Sequence, residues 1–265
     1  MIPSINGMFT FHEGKRYFNI LKENNLDDNV EYWALLVAVG IYKDNPSMNR
    51  PTMLQEVQRF EQVFGFSENW DENHIKIITK EEATVINILD GFRWLDEMED
   101  ENDGRDEALA TYTGFFPFNP IDPNRWEPMT NPFGIITDDQ FNRCFNRLES
   151  QGVGVIVDSC HSGGFNDYRF VNINLRDSYI DKFASSIQGQ NRIVVTSVPE
   201  ADLSYGSRFS HTLIDGLYGY ADYNHDNKVT LEEAFYYSEE IVEDTTGMDP
   251  QIFDNYPGEL VIIEL

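Results

Sequence analysis

In this chain of 265 residues, 46 Asp and Glu stand against 19 Lys and Arg, which gives a formal net charge of −27. Nucleic acid and anionic bilayers both demand an excess of Lys and Arg, so such partners are excluded on charge, while calcium-like cations and basic peptides are favoured. With 41% apolar and 14% aromatic residues, the chain has the material for a large core rather than a disordered acidic tail.

The longest apolar run, 32–42, falls well short of the roughly 18 residues of a membrane span, and no basic segment followed by an apolar one suggests a secretory signal. Two cysteines, Cys144 and Cys160, cannot build a disulfide framework. A cytoplasmic setting is the expectation.

Residues 1–30 read as an N-terminal extension to one domain spanning 31–265. Glu31 to Tyr42 (EYWALLVAVGIY) is a Val-rich apolar run suited to a buried central strand. Thr52 and Gln55 have capping-box spacing, and Met53, Val57, Phe60 and Phe64 recur at helical intervals. His74 to Thr79 (HIKIIT) predicts a second strand. Thr84 predicts the cap of a helix with Val85, Ile88, Phe92 and Leu95 on one face, before an acidic run around 96–106 that reads as a solvated helix end.

Ala108 to Thr113 (ALATYT) predicts a third strand, followed by a long Pro- and Asn-rich loop. A helix from Asp138 carries Phe141, Cys144, Phe145 and Leu148 at i, i+3, i+4 and i+7, which assigns Cys144 to the buried stripe. Val153 to Asp158 (VGVIVD), Arg192 to Ser197 (RIVVTS) and Leu260 to Ile263 predict further strands. Strands alternating with helices point to an α/β fold with a mostly parallel central sheet and helices on both faces.

Just past the carboxyl end of the fourth strand stands DSCHSGG, 158–164. Open α/β sheets gather reactive groups at that edge, and the small residues after Cys160 let the backbone turn and present N–H groups to an oxyanion. A buried structural cysteine is the competing reading.

The strand with DSCHSGG resembles the nucleophile motif of the caspase and metacaspase family of cysteine peptidases. WALLVAVGIY with NRPTMLQEV is similar to that family's first strand and helix, and RIVVTSVPEADLSYG with RFSHTLIDGL to its later strand, pocket loop and helix. The resemblance covers most of residues 31–240 and implies a caspase-like three-layer sandwich. It implies a cysteine endopeptidase in which Cys160 attacks the scissile carbonyl and its backbone N–H is one oxyanion donor. It also implies that Asp158, with Asp202 as a second acidic wall, lines a pocket for a basic P1 side chain; a strand-end acid capping nearby backbone is the alternative for Asp158. A peptide or protein substrate bearing basic residues is the implied partner.

That family's general base is a His at the end of the third strand. Here Thr113 and Gly114 fit its turn but Phe115 stands where His is expected, and a phenyl ring cannot exchange a proton. Either the His has been substituted or a His-bearing strand has been deleted. His12, His74, His161, His211 and His225 are the remaining imidazoles. A catalytically inactive homologue, acting as a calcium-stabilised binding or scaffold domain, is therefore the alternative function.

The segment DYNHDNKVTLEE, 222–233, reads as an EF-hand-like calcium loop. Asp222, Asn224, Asp226, Thr230 and Glu233 fall at positions 1, 3, 5, 9 and 12, with the Lys228 carbonyl at position 7. Asn227 replaces the usual Gly at position 6 and tolerates the left-handed conformation. A solvated acidic turn between two helices is the competing reading.

Overall fold

The computed structural model describes residues 7–15, 30–46, 49–95, 108–110, 112–113, 134–148, 150, 152–158, 187, 189–197 and 207–265. Strands β1 (Gly7–Lys15), β2 (Val30–Ala38), β3 (Trp70–Thr79), β6 (Gly152–Asp158), β7 (Arg192–Thr196) and β9 (Gln251–Asp254) form one six-stranded sheet in the order β3-β2-β1-β6-β7-β9. Two small antiparallel sheets pair β4 (Ala108–Ala110) with β5 (Ile135–Thr137), and β8 (Lys228–Thr230) with β10 (Val261–Glu264). The helices are α1 (Thr52–Phe66), α2 (Val85–Leu95), α3 (Asp138–Arg147), α4 (Arg208–Asp215) and α5 (Leu231–Thr246).

The sheet is mixed rather than mostly parallel. β2 with β3 and β6 with β7 are parallel, whereas β1 is antiparallel to both β2 and β6, and β9 to β7. Because β1 opposes both its neighbours, β2, β3, β6 and β7 nonetheless all run the same way, and their carboxyl ends share one edge. The residues set aside as an extension thus supply an internal strand. Its pattern, MFTFHEGK, alternates large apolar with polar residues and contains no long apolar run, so hydrophobicity alone does not mark it as internal.

The predicted third strand also differs: residues 108–110 pair only with β5, outside the main sheet. The two residues that follow it are still tied to the carboxyl edge. Tyr112 N–H donates to the Ala83 carbonyl at 2.9 Å, and Lys43 N–H donates to the Tyr112 carbonyl at 3.0 Å.

Alternation along each strand splits the core into two. Ala34, Leu36, Ala38, Ile156, Ile193 and Val195 face α1, α4 and α5, with Met53, Phe60, Phe209 and Phe235 packed on them. Leu35, Val37, Val155, Val157 and Val194 face the other way, toward Ile88 and Phe92 of α2 and Phe141 and Phe145 of α3. Helices therefore cover both faces, as the alternation of elements predicted. At Gly91 a Cβ would come within 2.8 Å of Leu35 Cδ1, so the absence of a side chain lets α2 lie close on β2.

Helix starts follow local chemistry unevenly. Thr84 accepts from Asn87 N–H at 3.3 Å, as expected of a cap. The capping box anticipated at Thr52 is absent, because Pro51 occupies the cap position of α1 and no side chain bonds there. Among the described residues no helix is long and apolar enough to cross a membrane.

Candidate functional site at the carboxyl edge of the sheet

Asp158 is the last residue of β6 and is fully buried. It projects to the same face as Ile156, two residues earlier, toward the start of α4. There Ser210 donates to its Oδ2 twice, from the hydroxyl at 2.6 Å and from the backbone N–H at 3.2 Å. Burial pushes the Asp158 carboxyl up to about 6, against the opposing pull of the two Ser210 bonds.

The Ser197 hydroxyl, just past neighbouring β7, also lowers the Asp158 carboxyl, although its geometry, like that of Oδ1, falls short of a full hydrogen bond. Thr196 pairs in register with Val157 and so faces the other side of the sheet, where its buried hydroxyl has no partner among the described residues. Buried polar atoms are almost always paired. The carboxyl ends of β6 and β7 thus hold a carboxylate oxygen and one hydroxyl that are both under-satisfied. Cys160 and Asp202, with Phe115 and His161, lie outside the described residues.

Beside this acid lies a network that sequence reasoning missed. Glu56 on α1 is buried and accepts from Arg59 at 2.9 Å and from the Ser207 hydroxyl at 3.2 Å. Arg59 also reaches Asp215 at 2.6 Å and the His211 carbonyl at 3.2 Å. Its guanidinium lies 2.8 Å from His211 Nδ1. The same Nδ1 lies 3.3 Å from Glu56 Oε1, so the ring sits between the guanidinium and the buried carboxylate. The signal was available: Glu56 falls on the apolar side of α1, between Met53, Val57 and Phe60, where a carboxylate needs partners.

The described imidazoles are distributed unhelpfully for a base. His74 stacks on Trp33 at the amino-terminal part of β3, with ring centroids 3.6 Å apart. His12 pairs in register with Val153, at the far end of β6 from Asp158. His225 is exposed in the acidic loop. His211 lies one residue from Ser210, which binds Asp158, and its ring is held by Arg59.

The acidic loop is folded by short side-chain-to-backbone bonds. Asp222 Oδ1 accepts from Asp226 N–H at 3.2 Å, and its Oδ2 accepts from Asn227 N–H at 3.2 Å. Asn224 accepts from Asp226 N–H at 2.8 Å, and Asp226 from Lys228 N–H at 2.9 Å. Asn227 adopts φ 64, the left-handed conformation its position demands.

Beyond the loop, Thr230 and Glu233 form a reciprocal capping box on α5, so the Glu233 carboxylate turns to its own helix start. Among the described residues no group of three or more His, Cys, Asp or Glu is placed to hold a metal. In this geometry the Glu233 carboxylate is engaged by its own helix cap.

The loop does have a strand partner. Val229 and Lys228 pair with Ile263 and Glu264 of β10, and Lys228 meets the Glu264 carboxylate at 3.2 Å. The expected last strand is therefore real but serves the loop and not the main sheet. Glu232, beside it, accepts from Leu260 N–H with both oxygens, and burial pushes its carboxyl up to about 7.

Compared with known families and curated proteins, the chain matches no family model and no curated sequence.

Proposed function

We propose that the chain is a caspase-like domain that hydrolyses peptide bonds after basic residues, with Cys160 as nucleophile. The observation that supports this most is the half-satisfied carboxylate of Asp158 at the carboxyl edge, two residues before Cys160. Ser210 holds one oxygen and thereby fixes the carboxylate, leaving Oδ1 to pair with a guanidinium or ammonium group from substrate. Ser197 would supply a further acceptor for the remaining N–H groups, and Asp202 a second acidic wall. Backbone N–H of Cys160 would receive the developing oxyanion.

In this reading calcium binds the 222–233 loop through Asp222, Asn224, Asp226, Thr230, Glu233 and the Lys228 carbonyl. Bound there, it would supply positive charge against the loop's carboxylates. The loop and β10 would transmit the resulting rigidity to α4 and α5, which back Asp158.

A second reading, a domain that binds basic peptides without cleaving them, is favoured by two observations. Phe115 stands where the family's base would be, and residues 108–110 lie outside the main sheet. Fluorogenic peptides with Arg, Lys, Leu or Asp at P1, assayed with calcium and with chelator, separate the readings. Turnover confined to Arg and Lys peptides and lost in Asp158→Asn supports the peptidase. Binding of those peptides without turnover supports the second reading, and neither binding nor turnover refutes both.

A further inference from the structure

Large hydrophobic side chains that stand exposed gather at one end of the molecule. Of seven such residues among those described, six are Phe66, Tyr218, Tyr220, Tyr223, Tyr236 and Leu265. They come from the end of α1, the turn Gly216–Tyr220 after α4, the acidic loop, α5 and the residue after β10. Most of them join in one strip. Phe66 lies against Tyr218 at 6.2 Å between ring centroids, and Leu265 packs over Gly219, where a Cβ would come within 3.1 Å of it. Gly219, at φ 103, breaks the helical turn between Tyr218 and Tyr220, both exposed. Tyr220 and Tyr223 each lie 6.5 Å from Tyr237 of α5. Globular domains seldom leave so many large rings together in water, and such strips mark contact surfaces.

The surroundings of the strip are acidic. Residues 207–265, all described, carry thirteen Asp and Glu against Arg208 and Lys228, and Lys228 is already held by Glu264 at 3.2 Å. On α5, Glu240 lies one turn beyond both Tyr236 and Tyr237, with Glu239, Glu243 and Asp244 around it. Among the described residues no cation is ion-paired with any of these four. Burial, and then the like charges of Glu243 and Asp249, push the Glu239 carboxyl up.

The face of an aromatic ring attracts ammonium and guanidinium groups, and guanidinium can also stack on it. A neutral apolar partner would desolvate the carboxylates without a counter-charge. A second copy of this chain, at a net charge of −27, would bring acid to acid.

We propose that this strip docks a basic segment of a partner protein, with arginine or lysine side chains laid across Tyr220, Tyr223 and Tyr237 and paired with Glu240 and its acidic neighbours. The strip follows the end of α4 remote from Ser210 and Asp158, so it is separate from the carboxyl edge and does not rest on cleavage there.

The test is fluorescence anisotropy with a labelled tetramer of D-arginine, a form resistant to cleavage, and a D-citrulline tetramer as its neutral counterpart. Wild type should bind the arginine peptide and not the citrulline one. Tyr220→Ala and Tyr223→Ala, at positions 69% and 62% exposed, should keep the fold by circular dichroism and each weaken binding about two- to fivefold with no change of charge. Glu240→Gln should weaken it about twofold. Both tyrosine effects should recur in an Asp158→Asn background, where the carboxyl edge has no carboxylate to pair. Wild-type affinity in both tyrosine variants, equal binding of the two peptides, or binding abolished by Asp158→Asn alone would overturn the proposal, as would no binding by wild type.

Discussion

On the face covered by α1, α4 and α5, the buried ionisable groups are acids: Glu56, Asp158 and Glu232. On the face covered by α2 and α3 the buried ionisable group among the described residues is an arginine, Arg192, which lies over the Phe145 ring. The same strands supply both faces, one residue apart: Val194 and Arg192 point one way, Ile193 and Val195 the other. The difference shows that a net charge of −27 says little about any one site. Each face keeps its own apolar core, and the charge placed beside that core decides what the face can recognise.

Breaking one core should leave the other face's chemistry in place. Phe92 packs edge-on against Phe141 and Phe145, at 5.6 and 5.2 Å between centroids. Phe92→Ala should cost about 3–5 kcal/mol in denaturant unfolding, the largest effect expected here. Peptide binding at the carboxyl edge should survive in whatever fraction stays folded.

Asp158→Asn sharpens the acidic side. The folded state raises the Asp158 carboxyl to about 6 from an ordinary 3.8, so the native protein holds the proton more tightly than the unfolded chain. Stability from this group is present below pH 4, falls as pH rises toward 6 and is fully lost above 6. The Asn variant should therefore melt higher than wild type at pH 8, by the equivalent of about 3 kcal/mol, and converge with it below pH 4. A gain that is independent of pH would mean that the carboxylate is not the cause.

How much of this was legible in sequence follows from what each element depends on. β2, β6, β7, α1 and α3 were readable because their apolar periodicity reports burial directly. β1 was not, since its place inside the sheet depends on long-range pairing with β2 and β6 that local pattern does not encode. At the site, Asp158 was singled out only through the resemblance of the DSCHSGG segment, and the loop through its oxygen spacing. Ser210, Glu56 and Arg59 were missed because they converge from two helices, α4 and α1, distant in sequence.

Two smaller effects complete the contrast. Glu233→Ala removes the capping box on α5 and should cost about 1 kcal/mol without calcium, and should abolish any calcium-dependent rise in melting temperature. A calcium shift that persists in this variant would move the cation elsewhere. Arg143→Gln, on a half-exposed helical position, should change stability by no more than about 0.5 kcal/mol in denaturant unfolding.

The most direct test of the central claim is hydrolysis of an Arg-P1 fluorogenic peptide by the wild-type chain and by Cys160→Ala, side by side in calcium. The account predicts turnover by wild type and none by Cys160→Ala, with the variant still binding the peptide. Equal turnover by both, or no turnover by wild type, would contradict it.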